Sequence, residues 1–112
     1  SVTGDQYVGG LVGSNQESSV GSCYSVGYVT GTTDIGGLVG WNDATVTNSF
    51  WDTQTSGQAA SAGGTGRTTA QMRNITTFTG AGWDIVLIGD YFNETWYIDN
   101  GNDYPRLGWQ YP

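Results

Sequence analysis

The chain has 112 residues, enough for one domain with a modest core of its own. Ten acidic residues stand against three arginines (Arg67, Arg73 and Arg106), and the formal charge of -7 repels phosphate backbones, which argues against nucleic acid as a partner. There is no histidine, no HExxH, no GxSxG and no Walker loop, so metallopeptidase, Ser-His-Asp and Cys-His chemistry are excluded within this sequence.

Nineteen glycines, two prolines and stretches dominated by Val, Ile, Thr, Tyr and Trp give an all-β vocabulary with many tight turns. Acidic residues such as Asp34, Asp43, Asp52 and Asp84 are scattered, and no pair is set out for glycoside hydrolysis. The expectation is a protein that is not an enzyme. A lone Cys23 rules out an internal disulfide and reads as a small apolar core residue, with intermolecular pairing as the alternative. No signal peptide is legible, and no apolar run is long enough to span a membrane. The sequence opens on Ser1 rather than methionine, as expected of a processed or excised piece. A surface without lysine suits an extracellular setting, and a secreted or cell-surface location is expected.

From the start of the chain, the dominant signal is a repeat with a period of 27 residues. Residues 1–13 align without gaps onto residues 28–40, with eight of thirteen positions identical and Val8/Ile35 conservative. Asn15 and Asn42 extend the match, and after one dropped residue Ser19-Val20-Gly21-Ser22-Cys23-Tyr24 aligns with Thr45-Val46-Thr47-Asn48-Ser49-Phe50. A period of this length in strand vocabulary predicts a parallel β-solenoid, each coil two or three short strands joined by glycine corners. A propeller blade needs about 40 residues and fits less well.

Coils about 4.8 Å apart would stack like on like. That places Val2 on Val29, Val8 on Ile35, Leu11 on Leu38, Val20 on Val46 and Tyr24 on Phe50, with Asn15 over Asn42 as an amide ladder. The repeated glycines (Gly4/Gly31, Gly9/Gly36, Gly10/Gly37, Gly13/Gly40) fit corners that need positive φ or close backbone approach. Stacks of this kind need about three units for a continuous core, so self-association or neighbouring repeats are expected to cover an open end.

The segments Val8-Gly9-Gly10-Leu11-Val12-Gly13 and Ile35-Gly36-Gly37-Leu38-Val39-Gly40 resemble the GLUG-motif repeat family. Ser22-Cys23-Tyr24-Ser25, Gly27-Tyr28-Val29-Thr30-Gly31 and terminal pieces such as Ser49-Phe50-Trp51-Asp52 and Tyr104-Pro105-Arg106-Leu107 extend the likeness over nearly the whole chain. The resemblance implies a stalk, spacer or adhesive surface of a large bacterial or archaeal exported protein, with glycans or host and cell-surface ligands among its partners.

Residues 1–52 form the repeat region, and residues 53–112 are expected to be a β-rich capping segment of the same domain. Residues 53–68, rich in Gly, Ala, Ser and Thr, predict an exposed loop or weakly ordered strand. Thr68 or Thr69 caps a short helical turn through Ala70-Gln71-Met72-Arg73. Strands follow at 83–88, 95–98 and 107–110, with Gly89-Asp90 and Asn100-Gly101 as turns. Trp83, Trp96, Trp109, Phe78 and Tyr97 supply the apolar area a cap must bury.

Three groups of candidate site residues stand out. Asp99-Asn100-Gly101-Asn102-Asp103 offers hard oxygen ligands for Ca²⁺ through Asp99 and Asp103, although the set lacks an EF-hand's distal glutamate, and a plain turn reads as well. No other cofactor is implied. Trp41, Trp51 and Tyr28 are candidates for stacking on sugar rings, against the alternative of burial against the cap. Asn74 and Asn93 open N-glycosylation acceptor patterns. The leading functional expectation is a non-catalytic extracellular structural or adhesive module. Its rivals are a self-assembling filament or sheath subunit and a carbohydrate-binding module.

Overall fold

A computed structural model describes residues 1–89 and 95–107. The chain forms two compact units, Ser1–Thr69 and Ala70–Pro112. Among the described residues its character is all-β, with small sheets and two short helices.

The first unit opens with five short strands: β1 (Val2–Thr3), β2 (Gln6–Gly9), β3 (Val12–Asn15), β4 (Ser19–Gly21) and β5 (Tyr24–Ser25). The next five repeat that series: β6 (Val29–Thr30), β7 (Thr33–Gly36), β8 (Val39–Asn42), β9 (Thr45–Thr47) and β10 (Phe50–Asp52). Every member of the first series pairs in parallel with its counterpart in the second. Val2 faces Val29, Val8 faces Ile35, Asn15 faces Asn42, Val20 faces Val46 and Tyr24 faces Phe50. Leu11 donates its backbone N–H to the Leu38 carbonyl at 3.0 Å. The stacked side chains bond as well: Thr3 to Thr30 through their hydroxyls at 3.2 Å, and Asn15 Nδ2 to Asn42 Oδ1 at 2.9 Å. Parallel strands a full period apart let the backbone groups of facing edges pair across adjacent layers.

The repeated glycines sit where backbones crowd, and left-handed φ falls elsewhere. Positive φ occurs at Tyr7 and its counterpart Asp34, at Ser22 and its counterpart Asn48, and at Glu17. The positive-φ glycines are Gly57, Gly64, Gly82, Gly89 and Gly101, all outside the repeat. A Cβ on Gly36 would overlap the Val39 carbonyl oxygen, and one on Gly37 would enter the Trp51 indole. Of the two alternatives the sequence left open at these corners, positive φ or close approach, the glycines serve close approach.

Residues 53–68, expected as an exposed loop or weakly ordered strand, are mostly exposed or half-buried and include one short strand. They return along the second series and form a third, shorter layer. Ser56 and Ala60 accept backbone bonds from Val29 and Gly37, Ala62 donates to Val39, and Thr65 donates to Ser49, all at 2.9 to 3.0 Å. β11 (Thr65–Arg67) then pairs in parallel with β10, Phe50 to Thr65 and Asp52 to Arg67. Small side chains suit this task because they let backbone lie against backbone. The Ser61 hydroxyl accepts from the Leu38 and Val39 N–H groups and donates to the Val39 carbonyl. Asp52, fully buried, anchors the turn into this layer: Oδ1 accepts from the N–H of Gln54 and Thr55, and Oδ2 accepts from the Thr69 hydroxyl at 2.7 Å. The compact unit thus continues past Asp52, where the repeat pattern stops, to Thr69.

The core of this unit is Leu38, Val39 and Trp51, with Val12 and Val46 packed against it. It lies in the middle layer, which has a neighbour on each side.

In the second unit, α1 (Thr69–Met72) begins at the end of the first and is the short helical turn expected there. α2 (Ile75–Thr79) is a second turn that the sequence did not announce, since three of its five residues are β-branched threonine. It forms because Asn74 caps it, accepting from the Thr76 N–H at 3.0 Å and the Thr76 hydroxyl at 2.8 Å. β12 (Ile85–Leu87) pairs with β13 (Trp96–Ile98) in parallel, and β13 pairs with β14 (Arg106–Leu107) antiparallel. Phe78, Trp83 and Trp96 stack in series with ring centroids 4.8 and 4.9 Å apart, giving this unit an aromatic core beside buried Met72, Ile85 and Ile98. Trp109 lies outside the described residues.

Candidate functional site

The first-unit corner carrying Tyr7 is the most unusual surface among the described residues. Tyr7 holds a left-handed backbone, φ 56°, and leaves 46% of its surface exposed. Its counterpart one layer on is Asp34, at φ 52°. Aspartate tolerates that conformation because its short polar side chain bonds locally, whereas a bulky aromatic pays a steric penalty there. The Tyr7 ring meets Trp41 edge-on, with centroids 6.3 Å apart and planes inclined at 63°. Trp41 is half-buried and pairs in register with Ser14, whose exposed side chain stands on the neighbouring strand. Two aromatic residues, each at a place where the other layer carries a small polar one, are thereby brought together.

The other aromatic candidates separate. Trp51 is 5% exposed, its indole N–H donates to the Gln58 carbonyl at 2.8 Å, and its ring occupies the space left by Gly37. It is a core residue and is withdrawn from any stacking surface. Tyr28 is 56% exposed and lies over Gly57 of the third layer. Cys23 is half-buried, with its thiol directed to the Gly21 carbonyl at 2.9 Å and its N–H bonded to the Ser49 hydroxyl.

The acidic loop of the second unit is internally committed. Asp99 Oδ1 accepts from the Asn102 amide at 3.1 Å, and the Asp99 carbonyl receives the N–H groups of Asn102 and Asp103. Asp103 forms an ion pair with Arg106 Nε at 2.6 Å and accepts the Tyr104 N–H. That hydrogen bond from Arg106, helped by the Tyr104 N–H and by the charges of Arg106 and Arg73, holds the Asp103 carboxyl below the usual aspartate value against a smaller effect of burial. Arg73 itself lies over the Tyr104 ring, 5.1 Å from its centroid. The two carboxylates weighed as a calcium candidate against a plain turn are engaged in separate local bonds. No group of three or more His, Cys, Asp or Glu side chains suited to a metal occurs among the described residues.

Of the glycosylation candidates, Asn74 is the exposed cap of α2, and Asn93 lies outside the described residues. Two residues escaped sequence reasoning: Tyr7, which looked like an ordinary strand residue, and Asp52, whose buried role depends on a returning segment that has no repeat signal. The mismatch Tyr7/Asp34, one of five in the thirteen-residue block, was the available clue to the first.

No family model and no solved structure matches the chain. Among curated proteins it is similar to a "Putative Gly-rich membrane protein" of Evansella cellulosilytica, 38% identical over 106 residues. The alignment takes in 88% of this chain and 11% of that protein, so the chain spans about a tenth of its relative's length. Among the described residues, no helix is long and apolar enough to cross a membrane.

Proposed function

We propose that the chain is a non-catalytic structural module of a secreted or cell-surface protein, its layers being successive coils of a parallel β-solenoid of the GLUG-motif type. The observation that carries this reading is the parallel register of every strand in residues 2–25 with its counterpart in residues 29–52. A solenoid transmits load along its stack through many short ladders and needs no catalytic centre, which is the work of a stalk or spacer. An acidic surface without lysine and a much longer relative named as a membrane protein support a place at the cell surface.

Two measurements test this proposal. In a Cys23→Ser background, paired Thr3→Cys and Thr30→Cys substitutions should oxidise to an internal disulfide, while Thr3→Cys with Thr45→Cys should not. Failure of the first pair would remove the coil register. Antibody raised against the chain should label intact cells of the source organism, and labelling only after lysis would remove the extracellular reading.

A second reading is favoured by one feature. The strands β1 to β4 pair on one side only, and Leu11 at that edge is 46% exposed where Leu38 is 0% exposed. An open parallel edge of this kind invites another layer, whether a further repeat or another copy building a filament. Sedimentation at rising concentration separates the cases: association abolished by Leu11→Glu supports a self-assembling subunit, and a monomer at all concentrations removes it.

A further inference from the structure

We infer that the Tyr7–Trp41 corner is a binding site for a neutral hexopyranose unit of a polysaccharide. Three observations converge on it. First, the two aromatic residues are exceptions to the repeat. Asp34 and Ser14 occupy the equivalent places in the other layer, and both are better suited than an aromatic ring to a solvent-facing corner. Second, the exceptions meet: a residue of the first layer and a residue of the second touch through their rings, although nothing in a 27-residue ladder requires that diagonal. Third, Tyr7 keeps a backbone conformation that favours Asp, Asn or Gly, so the fold alone would be better served by another residue.

The geometry selects the ligand class. The rings meet edge to face at 63° rather than as a stacked pair, with Trp41 half-buried and nearly half of Tyr7 facing solvent. The electron-rich faces of such rings attract the weakly positive C–H groups that line one side of a pyranose ring. The Tyr7 and Ser14 hydroxyls, together with the exposed Gln6 and Thr33 side chains on β2 and β7, can exchange hydrogen bonds with sugar hydroxyls. The overall charge of -7, with exposed Asp5 and Asp34 on the same strands and connections, disfavours uronic or sulfated polymers, so the ligand is uncharged.

Gel electrophoresis of the 112-residue chain through matrices containing neutral β-glucan, mannan or galactan tests the site. At least one of these polymers should retard the wild-type chain. Tyr7→Asn and Trp41→Ser should each weaken that retardation about tenfold, because each removes one stacking face. Tyr7→Asn should leave the melting temperature unchanged or raised, since asparagine accepts the left-handed corner. That makes a loss of binding separable from a loss of fold, and independent of whether the chain acts as a stalk or a filament. The site is overturned if none of the neutral polymers retards the wild type, if retardation survives Tyr7→Asn, or if only anionic polymers or apolar peptides bind.

Discussion

Residues 2–25 and 29–52 carry nearly the same pattern and take up the same strands, yet they are buried to different degrees. Leu38, Val39, Phe50 and Trp51 are core residues, while Leu11 is exposed and Val12, Tyr24 and Ser25 are half-buried. The local code fixes which side chains point inward and which counterpart they meet. At these positions burial follows the neighbours, since Leu38, Val39 and Trp51 are bonded or paired on both sides, whereas Val8 and Asn15 of the first layer are more buried than Ile35 and Asn42. Equal sequence therefore does not mean equal energetic weight.

The strongest way to break that comparison is to shorten the same leucine in each layer. Leu38→Ala should cost about 2–5 kcal/mol, the usual range for a buried leucine that leaves a cavity, whereas Leu11→Ala should cost less than about 1 kcal/mol. Denaturant midpoints for the two variants test this, and equal losses would show that the first layer is covered as completely as the second. A smaller effect is expected at the amide ladder. Asn15→Ala strips the Asn42 Oδ1 and Thr45 carbonyl of a donor, and a loss of about 1–3 kcal/mol is expected in the same assay.

The contrast with the second unit can be sharpened by removing a cap. Asn74→Ala should cost about 1 kcal/mol through loss of α2, seen as faster amide exchange at Thr76. The smallest effect concerns acid. The Asp103 pKa is lowered in the folded chain, so its contribution to stability is present above the unfolded aspartate value near about 3.9 and is lost as pH falls through the depressed folded value. Arg106→Ala should move the Asp103 carboxyl back up toward the ordinary range, which carboxyl chemical shifts followed through an acid titration would report.

The register of the first unit was legible from the sequence because like residues recur at a fixed interval and a stack places like over like. The third layer was not. Ser56, Ala60, Ser61 and Ala62 bind by offering backbone and small hydroxyl groups to a surface made elsewhere, and such residues carry no period of their own. Trp51 was a stacking candidate simply as an aromatic residue of the repeat region. Only the coordinates show that Gly37 opens a recess beside it. The Tyr7–Trp41 meeting was hidden for a related reason: the two belong to different positions of the period, and a ladder argument compares only equivalent ones. In the second unit the strand positions were close to expectation, but the parallel pairing of β12 with β13 does not follow from a turn signal, and helix α2 depends on a cap more than on propensity.

The recess at Gly37 and the indole that fills it lie fourteen residues apart, within a single period. A tandem duplication of one whole period spanning both positions would copy socket and plug together, so each new rung would arrive already matched. A change at either position alone would have to survive a clash or a hollow before its complement could appear. Gene lengthening is in this sense an easier evolutionary step for such a module than point-by-point redesign of its interior.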